Sequence, residues 1–188
     1  MTRSEIVRKA REYLGTPFHH QGRAKGRGVD CVGLVVCVLR ELGLEIDDCR
    51  TYPQTPDSGL LLNKLRQHLE EIPIDRAVSG DVYLMTIMGY PQHVAFVSPG
   101  AEEAPIPPSH MTPPLQRGRG GFYQRGEMPP RADAGAMSPS QAGRGLGEGR
   151  IGIIHTNRQV GRVVETGLDH AWKRRIVKAF TIAGISDE

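Results

Sequence analysis

Apolar positions in the first seventy residues recur three and four apart, the spacing of helices that bury one side. Ile6, Ala10, Tyr13 and Leu14 form the first such stripe. Thr2 and Glu5 ahead of it have capping-box spacing, and Gly15 and Pro17 supply a stop. The stretch GVDCVGLVVCVLRELG predicts a second helix that starts at Asp30 or Cys31 and ends at Gly43. At about 100° per residue, Leu34, Val35, Val38 and Leu42 share a face with Cys31 near its middle, while Cys37 falls off it. A third helix is predicted over 58–70, with Leu61, Leu62, Leu65 and Leu69 as its stripe. After Pro73 the texture becomes β-branched and aromatic: GDVYLM, HVAFV, IGIIHT, RVVET and RRIVKAFTIA read as strands. Helices first and strands second predict an α+β fold on an antiparallel sheet.

Residues 101–150 break this pattern. They hold eight of the 14 prolines, many glycines, and arginines at 117, 119, 125, 131, 144 and 150. Little there can build a core, so the stretch reads as a disordered insertion between two strands of one 1–188 domain. A solvated loop is the plain reading; arginines gripping an anionic polymer is the other. With a single aromatic pair, Phe122 and Tyr123, among its arginines, nucleic-acid binding through this segment is the weakest of the functional readings.

Composition adds limits. The 188 residues suit one ordinary domain, and 38% apolar content is a little low. A net charge of +3 permits an anionic partner without requiring one. Three cysteines, an odd number, argue against a disulfide framework, and no CxxC or HExxH spacing supports a metal site. MTRSEIVRKAREYLG has no apolar core of a secretory signal, and no run approaches the roughly 18 apolar residues of a membrane helix. The expectation is cytoplasmic synthesis without a signal peptide, so that an extracellular role needs another route of delivery.

The chemistry centres on Cys31. Unpaired N–H groups and the dipole at a helix N-terminus favour a thiolate, a physical reason to lead a helix with cysteine. A nucleophilic thiol also needs a base and a group that orients the base. His93 opens HVAFV and shares a face with Ala95 and Val97; His155 ends IGIIHT and shares a face with Ile151 and Ile153. If those faces look at the helix of Cys31, the three groups meet. Asn157 has the parity of His155 and is the alternative orienter. Asp30 reads as an N-cap. His19 and His20 read as surface residues, Trp172 as a packing anchor, and His68, His110 and His170 have no assigned role.

GTPFHHQGRAKGRGVDCVGLV, GDVYLMTIMGYPQHVAFV and IIHT together resemble the NlpC/P60 family of cysteine peptidases, in particular the phage-type cell-wall peptidases of tail-like and gene-transfer particles. WKRRIVKAF is similar to that subgroup as well. The resemblance spans nearly the whole chain outside 101–150 and implies a papain-like fold. It implies Cys31 as nucleophile, His93 as base and His155 as third polar residue, with no cofactor. It implies Asp30 as a contact for a substrate amino group, with Phe18 lining the substrate site. The implied substrate is the peptidoglycan stem peptide, cut between D-glutamate and diaminopimelate. Other phage tail proteins are implied as partners, and a virion or tail-like particle as location. Phe18 stands where many members have tyrosine, and Val32 where many have serine. These departures keep two alternatives in view: an idle structural tail-tip protein, and a papain-like amidase or acyltransferase.

Overall fold

The computed structural model describes residues 1–53, 59–100 and 151–186. The first compact unit of the chain comprises residues 1–103 with 149–188. All described residues lie in the first unit; the 101–150 insertion lies outside them.

Helix α1 spans Arg3–Arg11 and opens with the predicted capping box: Thr2 Oγ1 accepts from the Glu5 N–H, and the Glu5 carboxylate accepts from the Thr2 N–H. Ile6, Val7 and Ala10 are buried. The stripe fails at Leu14, which is 42% exposed. Beyond Arg11 the chain leaves the helix in turns that end at Gly15, φ +81°, so helical spacing no longer sets the direction of a side chain. A two-residue hairpin follows, β1 Arg23–Ala24 with β2 Gly28–Val29. Helix α2 is Cys31–Glu41, and helix α3 is Leu60–His68, shorter than predicted and begun from Gly59 at φ +112°. Leu65 and Leu69 are buried while Leu61 and Leu62 are only partly covered; predicted position 58 lies outside the described residues.

Six antiparallel strands make the main sheet: β3 Glu70–Ile72, β4 Val82–Ile87, β5 Tyr90–Ser98, β6 Gly152–Asn157, β7 Arg162–Gly167 and β8 Ile176–Thr181. Their order across it is β3-β8-β4-β5-β6-β7. Both strands of the β4–β5 hairpin outrun the predicted segments. Met88 and Gly89 turn it with φ +53° and +85°, a two-residue turn whose twist matches the strands. The edge strand β3 was not foreseen. Asp169 caps a short helix, α4 His170–Lys173, just before β8.

The sheet separates two apolar clusters. Val82, Leu84, Val94, Phe96, Ile154 and Phe180 pack with α1, α2 and α3. Tyr83, Met85, Ala95, Val97, Ile153 and Ala179 form the other side, with Trp172 and Ile176 against them. Asp81 of the GD pair, fully buried, accepts from Arg3 Nη1 at 2.6 Å and from the Val78 N–H at 2.9 Å, tying α1 to the start of β4.

The glycine of DCVGL has a steric cause. A Cβ on Gly33 would lie 2.1 Å from the Gly22 carbonyl oxygen and 2.7 Å from Arg23 Nη1, so the β1 loop can seat on α2 only where a side chain is missing. Gly33→Ala is expected to cost about 1–3 kcal/mol by overpacking, read as a lower denaturant midpoint. An unchanged midpoint contradicts this close seat.

Candidate active site

Helix α2 begins at Cys31 because Asp30 caps it, with extended backbone (φ −101°, ψ −174°) and Oδ1 accepting from the Gly33 N–H at 2.8 Å. The carboxylate does more. Oδ2 accepts from the Gln21 N–H at 2.7 Å and from the Tyr52 hydroxyl at 2.6 Å, and Arg23 Nη1 reaches Oδ1 at 3.2 Å. His20 Nδ1 stands 3.7 Å from Oδ2. Asp30 is 3% exposed, and its oxygens already accept four hydrogen bonds within the protein. Arg23 extends the network to Asp48 at 2.9 Å. Burial and the Asp30 carboxylate raise the Tyr52 phenol, so Tyr52 stays a donor. Asp30 is thus first the joint between the glycine-rich loop, the 48–52 segment and α2, although it also lines the neighbouring cavity.

That cavity, about 480 Å³, is bordered by Cys31, His93, Phe18, His20, Tyr52 and Arg158, with Val32, Val35, Leu61 and Leu65 on its apolar side. Cys31 Sγ lies 3.9 Å from the carbonyl oxygen of Gln92. The backbone N–H groups of Val94 and of the first turn of α2 also act on the sulfur. Cys31 therefore sits against the backbone on either side of His93. Burial, followed by the Asp30 charge, pushes the thiol up to about 11, and those N–H groups offset only part of this. The lowering expected from the helix N-terminus is outweighed, first by burial and then by the carboxylate that caps the helix and faces the thiol.

His93 Nε2 and His155 Nδ1 are 2.9 Å apart, a direct hydrogen bond from β5 to β6. His155 Nε2 in turn lies 3.2 Å from Thr166 Oγ1 on β7. The Trp172 ring packs edge-on at 4.7 Å from His155 and tilted at 6.1 Å from His93. Burial lowers His93 to about 3, helped by the charges of His155 and Arg175. Burial lowers His155 to about 4 against a smaller opposing pull from the Thr156 backbone. Both rings are neutral at pH 7.

The histidines meet each other as expected, but not by the expected route. Along β5, Val94 and Phe96 face α2, while Ala95 and Val97, of His93's parity, belong to the other side of the sheet. Ile153, of His155's parity, does too. The face carrying the histidines therefore does not look at α2 along its length. His93 reaches the cavity because it stands near the start of β5, beside a register shift between Met85 and Thr86. The thiol bonds to the Gln92 carbonyl rather than to an imidazole.

Asn157, the alternative orienter, accepts from the Gln159 and Val160 N–H groups and shapes its own turn. Phe18 lines the cavity under the Arg158 guanidinium, 5.5 Å from its ring centre. His20 borders the cavity, stacked edge-on against Tyr52, whereas His19 is exposed. His68 lines the cavity as well, and Trp172 is the predicted packing anchor, set against the histidine pair. Sequence reasoning missed Tyr52, Arg158 and Thr166. Only the β6–β7 register could have singled out Thr166. Among the described residues, no group of three or more His, Cys, Asp or Glu is placed to hold a metal ion, and no helix is long and apolar enough to cross a membrane.

The neutral histidine pair makes a pH prediction. Unfolded, both rings take up protons near pH 6.5; folded, they resist until about 4 and 3. Below pH 6.5 the unfolded chain binds more protons, so stability falls as pH drops toward those values. Urea midpoints should decline from pH 7 to 5.5, before most carboxylates titrate, and His93→Gln with His155→Gln should flatten the decline. A wild-type midpoint that holds steady over this range refutes the sealed neutral pair.

A helix led by a cysteine and packed on an antiparallel sheet is the arrangement of the papain-like α+β class. The family model described as NlpC/P60 family matches residues 15–104, just under half of this chain. Two solved structures share the fold. One is described as similar to a lipoprotein of the NLP/P60 family from Staphylococcus aureus subsp. aureus Mu50: 15% identity, TM-score 0.51, covering 98% of this chain and 42% of that one. The present chain therefore spans less than half of that protein's length. The other is the NlpC/p60 domain of the peptidoglycan hydrolase SagA: 17% identity, TM-score 0.52, covering 97% of this chain and 100% of that one. No curated protein matches this chain.

Proposed function

We propose that this domain is a cysteine peptidase that hydrolyses an amide bond of the peptidoglycan stem peptide. The observation that carries the reading is the seat of Cys31, at the head of α2 and against the backbone flanking His93, in a cavity both residues line. The NlpC/P60 family match supports the substrate class, as does the shared fold with a domain of a named peptidoglycan hydrolase.

The chemistry follows from the resting state. Thiol and imidazole are both neutral. Nδ1 of His93, the nitrogen not bonded to His155, has no hydrogen-bond partner among the described residues. Rotation of the thiol from the Gln92 carbonyl toward Nδ1 lets His93 take the proton as sulfur attacks the amide carbon. The oxyanion of the tetrahedral intermediate is held by backbone N–H groups at the start of α2, that of Cys31 included. His93 then protonates the leaving amine. Water, deprotonated by His93, cleaves the thioester and restores the thiol.

In finer detail, the bond is the one between D-glutamate and diaminopimelate, and the protein works within a phage tail or tail-like particle. The resemblance of GTPF, DCVGL and HVAFV to the phage-type members of the family supports this. Mass spectrometry of muropeptides after incubation tests the bond: a new diaminopimelate N-terminus is expected, and cleavage elsewhere overturns the assignment. Absence of the protein from purified particles overturns the location.

One observation favours a second reading, an idle site kept for structure: the thiol is bonded to a carbonyl and held protonated. Muropeptide turnover by the wild type excludes it. Equal inactivity of wild type and Cys31→Ala selects it.

A further inference from the structure

The hydrogen-bond chain behind His93 continues past His155, and its last member decides which way the whole chain can run. The β6–β7 register pairs Ile153 with Thr166, so His155, two residues on, is the diagonal neighbour of Thr166 on the same face. Three adjacent strands thereby set Thr166, His155 and His93 in line, with contacts of 3.2 Å and 2.9 Å. Trp172 packs its ring against both imidazoles, and Arg175 lies 4.9 Å from the centre of that ring on its own account.

A neutral imidazole has one N–H and one lone pair, so a pair of them can share a proton in two ways. In the first, His155 carries its proton on Nε2 and accepts at Nδ1. His93 then carries its proton on Nε2, and its Nδ1 lone pair is open to the thiol. In the second, His155 carries its proton on Nδ1 and donates to His93 Nε2. His93 then has its proton on Nδ1 and cannot act as a base toward Cys31.

Proton transfer removes the ambiguity. Once His93 has taken the thiol proton, both its nitrogens bear hydrogen, and Nε2 must donate. His155 Nδ1 must then be the acceptor, and the remaining His155 proton sits on Nε2, pointing at Thr166 Oγ1. Only the first arrangement passes through the reaction without moving a proton on His155.

Resting on the cysteine-peptidase reading above, we propose that Thr166 is a positioning residue. Its hydroxyl oxygen accepts from His155 Nε2–H and so selects the tautomer that leaves His93 Nδ1 free to deprotonate Cys31. Thr166 touches neither thiol nor imidazole of the reacting pair and acts through His155. The threonine side chain suits this, since its oxygen can accept one proton and still donate its own elsewhere.

The test compares wild type, Thr166→Val and Thr166→Ser in the full chain by three readouts. Long-range proton–nitrogen spectra of 15N-histidine-labelled protein show which nitrogen of His155 bears hydrogen. Iodoacetamide labelling followed by peptide mapping gives the alkylation rate of Cys31 apart from Cys37 and Cys49. Muropeptide turnover gives kcat and KM separately. Expected are Nε2–H on His155 in the wild type and loss of that state in Thr166→Val. Thr166→Val should also show about tenfold or greater slowing of Cys31 alkylation and of kcat, with KM unchanged. Thr166→Ser should restore all three. A wild-type His155 protonated on Nδ1 overturns the proposal. So does a Thr166→Val protein with unchanged tautomer and alkylation rate, or one that Thr166→Ser fails to rescue. The tautomer and alkylation readouts need no peptidoglycan. If they behave as expected while the wild type cleaves no muropeptide, the positioning role stands and the substrate assignment falls.

Discussion

Cys31→Ala will leave no measurable muropeptide cleavage while the domain stays folded. The sulfur is the only atom of that side chain with chemistry to lose, and the acyl intermediate cannot form without it. Removing a covalent nucleophile from a triad-type site costs on the order of 10³–10⁶ in kcat, with binding and backbone donors left intact. Stability should change by about 1 kcal/mol or less. The residue keeps some exposure, the thiol's own donation is a 3.9 Å contact to the Gln92 carbonyl, and alanine removes a single heavy atom, so little packing is forfeited. Muropeptide turnover by mass spectrometry and a denaturant melt on the same samples check both halves. Cleavage that survives at more than about a hundredth of the wild-type rate removes Cys31 from the mechanism.

Asp30→Ala should do the reverse, breaking structure first. It strips the cap from α2 and leaves the Gln21 and Gly33 N–H groups and the Tyr52 hydroxyl without their acceptor. It also removes one of the two carboxylates facing Arg23, whose side chain is 5% exposed. Truncating one partner of a buried pair costs about 3–5 kcal/mol. Asp48 remains beside Arg23, so the lower figure applies, with a melting temperature lower by about 6–12 °C for a chain of this size. Asp30→Asn keeps an oxygen for Gly33 but loses the charge opposite Arg23, and should fall between the two. A melt that moves less than 2 °C for Asp30→Ala would show that the loop is held by other means. The alkylation rate of Cys31 in Asp30→Asn carries a second signal. The Asp30 charge raises the thiol, so removing it should speed labelling at neutral pH provided the fold survives.

The sequence reading gives Asp30 two compatible roles, a cap from its place before the helix and a contact for a substrate amine from the family resemblance. In the fold, the carboxylate is sealed by donors from the loop at 20–23 and from Tyr52, and the capping role accounts for its burial. None of those donors is at helical spacing from Asp30, so no pattern in the sequence announces them.

Much of the architecture was legible because it depends on local rules. The capping box at Thr2 and Glu5, the start of α2 at Asp30, the change from helical to alternating spacing after Pro73 and the antiparallel sheet all appear where the pattern put them. The pattern failed where the chain left regular geometry, as at Leu14. It failed too where a strand was too short to alternate, as at Glu70–Ile72.

By itself the sequence determined which residues have the chemistry: a thiol at a helix head, two histidines at strand ends and a cap that fixes where the helix begins. Only the tertiary structure decided how they meet. Strand register and the shift beside the start of β5, set by contacts between residues far apart in the chain, bonded His93 to His155 and drew Thr166 into line. The same packing turned the thiol toward a carbonyl and held it protonated. Side-chain direction at a strand end and the solvation of a buried sulfur depend on what packs against them, and no local spacing encodes that.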